Sequence, residues 1–319
     1  MKNKICIIGC GNIGFRHLES FLKNKNKLKI YIFEKNKICI QKISIYLQNN
    51  NPHNHKIMIS KVFNISKHKF EILIIATNSE LRLKIINNFY KKKNIAGKII
   101  LEKLVTQNLN DFKEIINIKK EKNINIYVNC SRRMFSSYKN LKEIINNRKI
   151  KRITAIGSNW GLASNSIHII DLFGFLSGKI NNFTSTCNIE KILPSTKRKG
   201  FYDFYGEINI NIDKSSKIIM IDKKSKKNNF VIEIIGEDFK YIINESNHTI
   251  TCKDKYYNLD YIKKEFKSEM QSNLSIKYLN KYIKLTKIDE SYNYHQILIK
   301  TFDLYFKTKF KNKNKYLIT

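Results

Sequence analysis

A chain of 319 residues exceeds what one hydrophobic core normally serves, so its length predicts two domains. Its 42% hydrophobic and 12% aromatic residues exclude a disordered chain. The formal net charge of +34 suggests a nucleic-acid or membrane-surface protein, but only seven of its 60 basic residues are arginine, the side chain favoured for phosphate recognition. The scattered lysines therefore favour a solvated basic surface over a specific nucleic-acid face.

The cysteines and the apolar runs indicate where in the cell the protein is expected. The six cysteines form no Cys-x-x-Cys pair and lie mostly in apolar runs, which predicts buried, reduced thiols and a cytoplasmic protein. No apolar stretch approaches the ~20 residues needed to cross a bilayer, so we expect no membrane span and no targeting segment. His53 and His55 lack cysteines or acids at ligand spacing, and we predict no metal site.

The first 128 residues alternate short apolar runs with amphipathic segments, which is typical of a parallel sheet covered on both faces. This pattern predicts an α/β fold, with a doubly wound Rossmann domain over residues 1–128. Strands are predicted at 4–8, 29–34, 56–60, 71–76, 98–102 and 125–128, and helices near 12–24, 37–48, 79–91 and 108–120.

The pattern changes after residue 128 and predicts a C-terminal α+β domain over residues 129–319, with a large, mostly antiparallel sheet. We expect a cleft between the two domains, and the exposed face of this sheet is a candidate surface for a homo-oligomer. Helices are predicted near 136–147, 165–177, 260–284 and 288–308, and strands near 150–158, 180–188, 204–213, 217–222, 229–235, 238–244 and 247–252.

A Gly-x-Gly-x-x-Gly motif directly follows the first predicted strand, at the start of the first helix. Gly9 permits a tight turn, Gly11 lets backbone amides approach a pyrophosphate, and Gly14 lets helix and strand pack closely. The helix N-terminus at Asn12 and Ile13 favours the phosphate charge. The motif in this setting predicts a dinucleotide site.

Glu34 ends the second predicted strand, 20 residues beyond Gly14. A carboxylate at this position accepts hydrogen bonds from both hydroxyls of an adenosine ribose and repels a 2′-phosphate. NAD is therefore predicted over NADP, although Lys35 and Lys37 soften the preference.

Polar residues at the carboxyl ends of later strands should face the same crevice, because open parallel sheets bind ligands there. These are Thr77 and Asn78 after strand four, and Glu102 and Lys103 after strand five. A lysine there can donate to a substrate hydroxyl and help to move its proton. The alternative is an ordinary surface lysine, which the many lysines of the chain make common.

Several of these pieces occur in an order that resembles the Gfo/Idh/MocA family, which typically oxidises or reduces sugars and cyclitols with NAD(P). The resemblance implies that Lys103 matches the lysine of the family's Glu-Lys-Pro motif and that His168 matches its active-site histidine. It rests on Gly9 to His17, Ala76 to Ser79, Glu102-Lys103, Asn129 through Arg132-Arg133 to Tyr138, and His168 to Asp171.

Two positions depart from the family pattern. Leu104 replaces the proline after the motif lysine, so the turn that shapes the lysine is expected to be less rigid. Ser164 occupies the position four residues before the histidine, where the family often has an aspartate that assists proton transfer. Because a serine cannot act as a carboxylate base, Lys103 and His168 would carry the acid-base work, or the substrate and direction differ.

Four further residues have alternative interpretations. His168 is either a site histidine or an incidental residue on an apolar helix, and the resemblance favours the site, with Asp171 structural. Arg132 and Arg133 either bind an anionic substrate group or brace the domain junction. Trp160 can stack on a sugar ring, although packing is the commoner role; Arg132, Trp160, Ser164 and His168 are the candidate substrate contacts.

The sequence thus predicts an enzyme that transfers a hydride between a nicotinamide and a carbinol carbon of a sugar, cyclitol or sugar nucleotide. Its partner is this small molecule, without a specific nucleic acid or a membrane. The alternative is a dinucleotide-binding sensor or regulatory protein of the same fold without turnover, which Leu104 and Ser164 motivate.

Overall fold

The computed structural model describes residues 3–50, 52, 54–178, 180, 182–195, 198–213, 215–257, 271–309 and 317–318. The chain divides into two compact units. The first comprises Met1–Ser131 and Ser268–Asp289, and the second comprises Arg132–Lys267 and Glu290–Thr319.

The described residues form the following strands and helices, given in chain order. The strands are β1 Lys4–Ile8, β2 Lys29–Phe33, β3 Lys56–Ser60, β4 Lys69–Ile75, β5 Ile95–Leu101, β6 Asn125–Val128, β7 Ile150–Ser158, β8 Phe183–Pro194, β9 Tyr202–Ile212, β10 Ser216–Lys223, β11 Phe230–Gly236, β12 Phe239–Asn244, β13 Thr249–Asp254 and β14 Thr286–Lys287. The helices are α1 Asn12–Leu22, α2 Lys37–Asn50, α3 Arg82–Lys91, α4 Leu109–Glu121, α5 Ser136–Ile145, α6 Leu162–Ser177, α7 Gln271–Leu274 and α8 Ile288–Lys309. Short 3-10 helices cover Ser79–Leu81, Ser131–Met134 and Ser275–Leu279.

The first unit is built on a sheet with the strand order β14-β6-β5-β4-β1-β2-β3. Strands β1 to β6 pair in parallel, and β14 pairs with β6 in the opposite direction. The central strands β1 and β4 consist mostly of buried Ile, Leu and Cys, because helices cover both faces of a parallel sheet. The strand order changes direction between β1 and β4, and this is where doubly wound sheets bind ligands.

A segment that follows the second sheet in sequence belongs to the first unit. The helix predicted at 260–284 is wrong for residues 280–284, since α7 and the next 3-10 helix end at Leu279; residues 260–270 lie outside the described part. The short strand β14 was not predicted. The predicted second domain, 129–319, therefore lacks the segment Ser268–Asp289 in the structure.

Buried hydrogen bonds hold this returning segment in the first unit. The Tyr278 hydroxyl donates to Asn129 Oδ1 at 2.7 Å and accepts from Gln271 Nε2 at 3.0 Å. Gln271 Oε1 in turn accepts from Asn129 Nδ2 at 2.8 Å. Both Tyr278 and Asn129 are buried, so each polar group depends on the others for its hydrogen bonds.

The second unit is built on a sheet with the strand order β13-β12-β11-β7-β10-β9-β8 among its described residues. Its pairs are antiparallel except for β7 with β10, which run in parallel. Side chains alternate between buried and more exposed along β9, β11 and β12, as expected for a sheet with one covered face. Helix α6 packs on β9 and β10. Most residues of α6 are apolar and buried, and their packing anchors this helix, which bears His168.

The predicted fold class is confirmed: a Rossmann-type unit with a parallel sheet is joined to a unit with a large, mostly antiparallel sheet. Within the described residues, no helix combines the length and the hydropathy that crossing a membrane requires.

We expect Tyr278→Phe to lower the free energy of unfolding by about 1–3 kcal/mol, because it leaves the buried Asn129 and Gln271 without one hydrogen-bond partner. Urea denaturation followed by circular dichroism measures this change. Tyr282→Phe is the matched control, since Tyr282 is 78% exposed. Equal stability of the two variants would show that the tyrosine hydroxyl does not hold the segment.

Candidate active site

The glycine turn has the geometry that a dinucleotide pyrophosphate requires. Gly9 has φ +83°, and a Cβ there would lie 2.9 Å from the Thr77 nitrogen. A Cβ at Gly14 would lie 2.1 Å from the Gly9 carbonyl oxygen, so helix α1 and the turn touch directly. At Gly11 a Cβ would meet nothing within 4 Å. The first and third glycines are thus required by packing, whereas the second borders open space.

Two further residues of the motif begin helix α1. Asn12 and Ile13 follow Gly11, which is the N-cap residue of the helix. The first-turn amides of a helix have no intrahelical acceptor and attract anions. The open space at Gly11 and these amides fit a pyrophosphate group.

The carboxylate of Glu34 lies against the same turn. Its Oε2 accepts from the Cys10 amide at 2.6 Å and its Oε1 accepts from the Asn36 amide at 2.8 Å. A carboxylate has about four acceptor positions, so acceptor capacity remains for ribose hydroxyls. The turn and the strand end thus present amides and a carboxylate side by side, as an adenosine diphosphate moiety requires.

The loops that follow β4 and β5 are joined by one buried arginine. Arg82 Nε and Nη2 donate to the carbonyl of Thr77 at 3.1 and 2.7 Å. Its Nη1 donates to the carbonyls of Glu102 and Leu104. These carbonyls belong to the residues on either side of Lys103, and the Lys103–Leu104 peptide bond is cis. Arg82 therefore fixes the main chain around Lys103 relative to Thr77.

The carboxylate of Glu102 is held by protein groups. Its Oε1 contacts His17 Nε2 at 2.9 Å and accepts from Asn129 Nδ2 at 2.5 Å. Burial alone would raise the pKa of Glu102, but the hydrogen bond and charge of His17, the amide of Asn129 and the charge of Arg82 keep this pKa below its usual value. Because an ionised carboxylate only accepts, His17 Nε2 carries a proton.

His17 thereby links three parts of the first unit. It lies on α1, three residues after Gly14, and is fully buried. Its Nδ1 contacts Ser275 Oγ at 2.6 Å. Helix α1, the end of β5 and the returning segment are thus connected through this one imidazole. Glu102 is buried in these contacts, and the half-buried Lys103 is the more accessible side chain of the Glu102-Lys103 pair.

The sequence-predicted residues of the second unit gather around the start of α6. The Trp160 indole N–H donates to the Ile221 carbonyl at 2.9 Å, and its ring lies 5.1 Å from that of Phe230. The Ser164 hydroxyl donates to Asp203 Oδ2 at 2.6 Å. His168 lies one helical turn further along α6 and is half-buried.

Both arginines predicted as anion contacts are paired with carboxylates of the second unit. Arg132 donates to both oxygens of Glu245, at 2.8 and 2.7 Å. Its guanidinium also lies 5.7 Å from the centre of the Phe230 ring, which contacts Trp160 as well. The charge of Arg132 therefore stands beside a carboxylate, and Phe230 brings Arg132 and Trp160 together.

Arg133 has a structural set of partners. Its Nε donates to Asp171 Oδ2 at 2.8 Å and its Nη2 to Glu290 Oε1 at 2.8 Å. Both Arg133 and Asp171 are buried. The interpretation of Asp171 as a structural residue agrees with this ion pair.

Sequence reasoning missed the residues that organise these sites. Arg82, Tyr278 and Asp203 make the contacts described above, yet none belongs to a motif with a recognised spacing to its partners. Asn129 entered only as part of the family resemblance, without its buried partners. Arg82 carried one signal: it is one of only seven arginines in a lysine-rich chain.

Metal ligation has no candidate cluster in the described part of the chain, where no group of three or more His, Cys, Asp or Glu residues comes together. Of the histidine pair considered in the sequence, His53 lies outside the described residues and the His55 ring contacts backbone groups of Leu28 and Leu22.

The fold and the glycine turn define a Rossmann-type dinucleotide-binding domain, and a family model agrees. Residues 3–130 match the Gfo/Idh/MocA model, described as an oxidoreductase family with an NAD-binding Rossmann fold. The match confirms, over residues 3–130, the resemblance inferred from the motifs. No curated protein matches the chain in sequence.

Solved structures resemble almost the whole chain in fold. The WlbA dehydrogenase from Bordetella pertussis, in complex with NADH and UDP-GlcNAcA, is 13% identical with a TM-score of 0.69, over 95% of this chain and 96% of that one. UDP-N-acetylglucosamine 3-dehydrogenase GnnA from Acidithiobacillus ferrooxidans is 10% identical with a TM-score of 0.67, over 94% and 97%. Biliverdin reductase from Synechocystis, in complex with biliverdin and NADP+, is 12% identical with a TM-score of 0.66, over 95% and 98%.

We expect Gly11→Ala to weaken dinucleotide binding by about tenfold or more while leaving thermal stability unchanged, because its methyl group enters the open space of the turn. Calorimetric titration with NADH measures the affinity. Gly14→Ala is the contrasting variant: its methyl group meets the Gly9 carbonyl, so we expect a loss of about 1–3 kcal/mol in stability. Unchanged NADH affinity in the Gly11 variant would place the dinucleotide elsewhere.

Proposed function

We propose that this NAD(P)-binding oxidoreductase transfers a hydride between nicotinamide and a carbinol carbon of a sugar, cyclitol or sugar-nucleotide substrate. The observation that carries the proposal is the glycine turn, which is open at Gly11 and has the Glu34 carboxylate against it. When bound, the nicotinamide supplies the acceptor or donor of the hydride.

The first unit binds and orients the dinucleotide in this proposal. The amides at Asn12 and Ile13 hold the pyrophosphate, and Glu34 accepts from the ribose hydroxyls. Glu34 disfavours a 2′-phosphate, so NAD is proposed over NADP. Thr77 borders the turn at Gly9, and Asn78 follows Thr77 in the chain. Glu102 acts through His17 and Asn129 by fixing the end of β5.

Proton handling is assigned to Lys103 and His168. During oxidation the substrate carbon loses a hydride and its hydroxyl loses a proton, which the amine or the imidazole takes up. Reduction returns the same proton to the carbonyl oxygen. Arg82 supports this role for Lys103, because it holds the carbonyl groups on both sides of the lysine.

A sugar-type substrate is supported by an aromatic side chain of this chain and by solved structures of similar fold. Trp160 offers a ring surface for a sugar, and two solved structures of similar fold are a UDP-N-acetylglucosamine dehydrogenase and a dehydrogenase with bound UDP-GlcNAcA. Biliverdin reductase has a similar fold, so proteins of this fold also act on substrates that are not sugars. A cytoplasmic location and a homo-oligomer formed through the second sheet stay predictions.

We expect Glu34→Gln to raise the affinity for NADPH by roughly tenfold and to change the affinity for NADH by less than about threefold. The amide keeps an acceptor for the Cys10 amide but loses the charge that repels a 2′-phosphate. Parallel calorimetric titrations with both dinucleotides give the ratio. Glu114→Gln, at an exposed position on α4, is the control for the loss of one negative charge. A ratio unchanged from wild type would remove Glu34 from the ribose site.

We expect Lys103→Met to lower kcat by about 100-fold or more on an accepted sugar nucleotide, because the methionine cannot transfer a proton. The NADH affinity should stay within about threefold of wild type. Turnover across a panel of sugars and UDP-sugars is followed by absorbance of the reduced nicotinamide, with Lys113→Met on α4 as the matched control. NADH binding by the wild type without turnover of any compound would favour the sensor function.

A further inference from the structure

A carboxylate from β9 occupies the start of the helix that bears His168. Asp203 Oδ2 accepts from the Ser164 hydroxyl at 2.6 Å, and Asp203 Oδ1 accepts from the Ala163 amide at 2.7 Å and from its neighbour's amide, Phe204, at 2.9 Å. Asp203 is 39 residues from Ser164 in sequence, so the sheet brings the two together.

The hydrogen bond fixes the chemical character of Ser164. A serine hydroxyl has one proton to donate and two lone pairs. The 2.6 Å contact with Asp203 is shorter than the 3.3 Å contact with the Gly161 carbonyl, so the proton is directed to the carboxylate. Towards any other group, Ser164 then offers only acceptor lone pairs, backed by a negative charge.

Ser164 and His168 are four residues apart on α6 and therefore lie on the same face of the helix. We propose that Asp203 is a positioning residue for the acid-base histidine: through Ser164 it supplies the negative charge that position 164 itself lacks. This inference rests on the proposed function. When the substrate hydroxyl passes its proton to the imidazole, the nearby negative charge stabilises the imidazolium that forms.

Capping of α6 is the competing explanation for Asp203. An acceptor at the amino terminus of a helix stabilises it whether or not it carries a charge, although a charge adds to the effect. Asparagine at position 203 can still accept from the Ala163 amide but carries no charge. The neutral variant therefore separates the two roles.

The buried carboxylate of Asp222 lies close enough to Asp203 for its pKa to respond to the charge of Asp203. Asp222 Oδ2 accepts from the Gly161 amide at 2.8 Å, and its Oδ1 accepts from the Trp160 amide at 3.3 Å. Burial, with a smaller contribution from Asp203, raises the pKa of Asp222 to about 6, against the lowering effect of these amides. Loss of the Asp203 charge should lower the pKa of Asp222.

The test uses the full chain with Asp203→Asn and with the double variant Ser164→Asp/Asp203→Asn, which moves the carboxylate to position 164. We expect Asp203→Asn to reduce kcat by about tenfold or more with KM within about threefold, because the charge acts on proton transfer. The double variant should recover kcat to within about threefold of wild type. Asp303→Asn, at an exposed position on α8, controls for the lost charge.

Two results would overturn the inference alone: wild-type kcat in Asp203→Asn on a substrate that the wild type turns over, or no recovery in the double variant despite an unchanged melting temperature. An inactive wild type would instead reject the proposed function, and the role of Asp203 with it.

Discussion

The buried contact between His17 and Glu102 is the constraint on which the first unit depends. It joins the helix of the glycine turn to the end of β5, and Asn129, Gln271 and Ser275 complete the network around it. Buried polar groups are costly unless every member has a partner, so the network permits essentially one arrangement of these elements. The position of Lys103 therefore depends on the buried hydrogen-bond network around its neighbour Glu102.

A similar arrangement occurs in the second unit, where carboxylates accept hydrogen bonds that hold other groups in place. Asp203 and Asp222 both hold backbone amides around the start of α6, and Glu245 holds Arg132. In each case a charged group is fixed by partners distant in sequence. Rigid placement of this kind is what proton transfer and hydride transfer require of an active site.

Patterns within short segments predicted much of this structure. The 2-residue and 3.6-residue periods located most strands and helices, and the glycine motif predicted its turn, because these features depend on neighbours in the chain. Arg82, Asp203 and Tyr278 could not be assigned in this way, since their partners are set by which strands lie side by side. The two residues of β14 are too few to show a period, and the apolar run before them resembled a longer helix.

The returning segment has a consequence for how the chain acquires its structure during synthesis. Residues 1–131 leave the ribosome long before Gln271 and Tyr278, whose side chains complete the hydrogen bonds of Asn129, and before β14 covers the edge of β6. Until nearly the whole polypeptide has emerged, the nascent amino-terminal domain therefore lacks these partners for Asn129 and exposes the edge of β6.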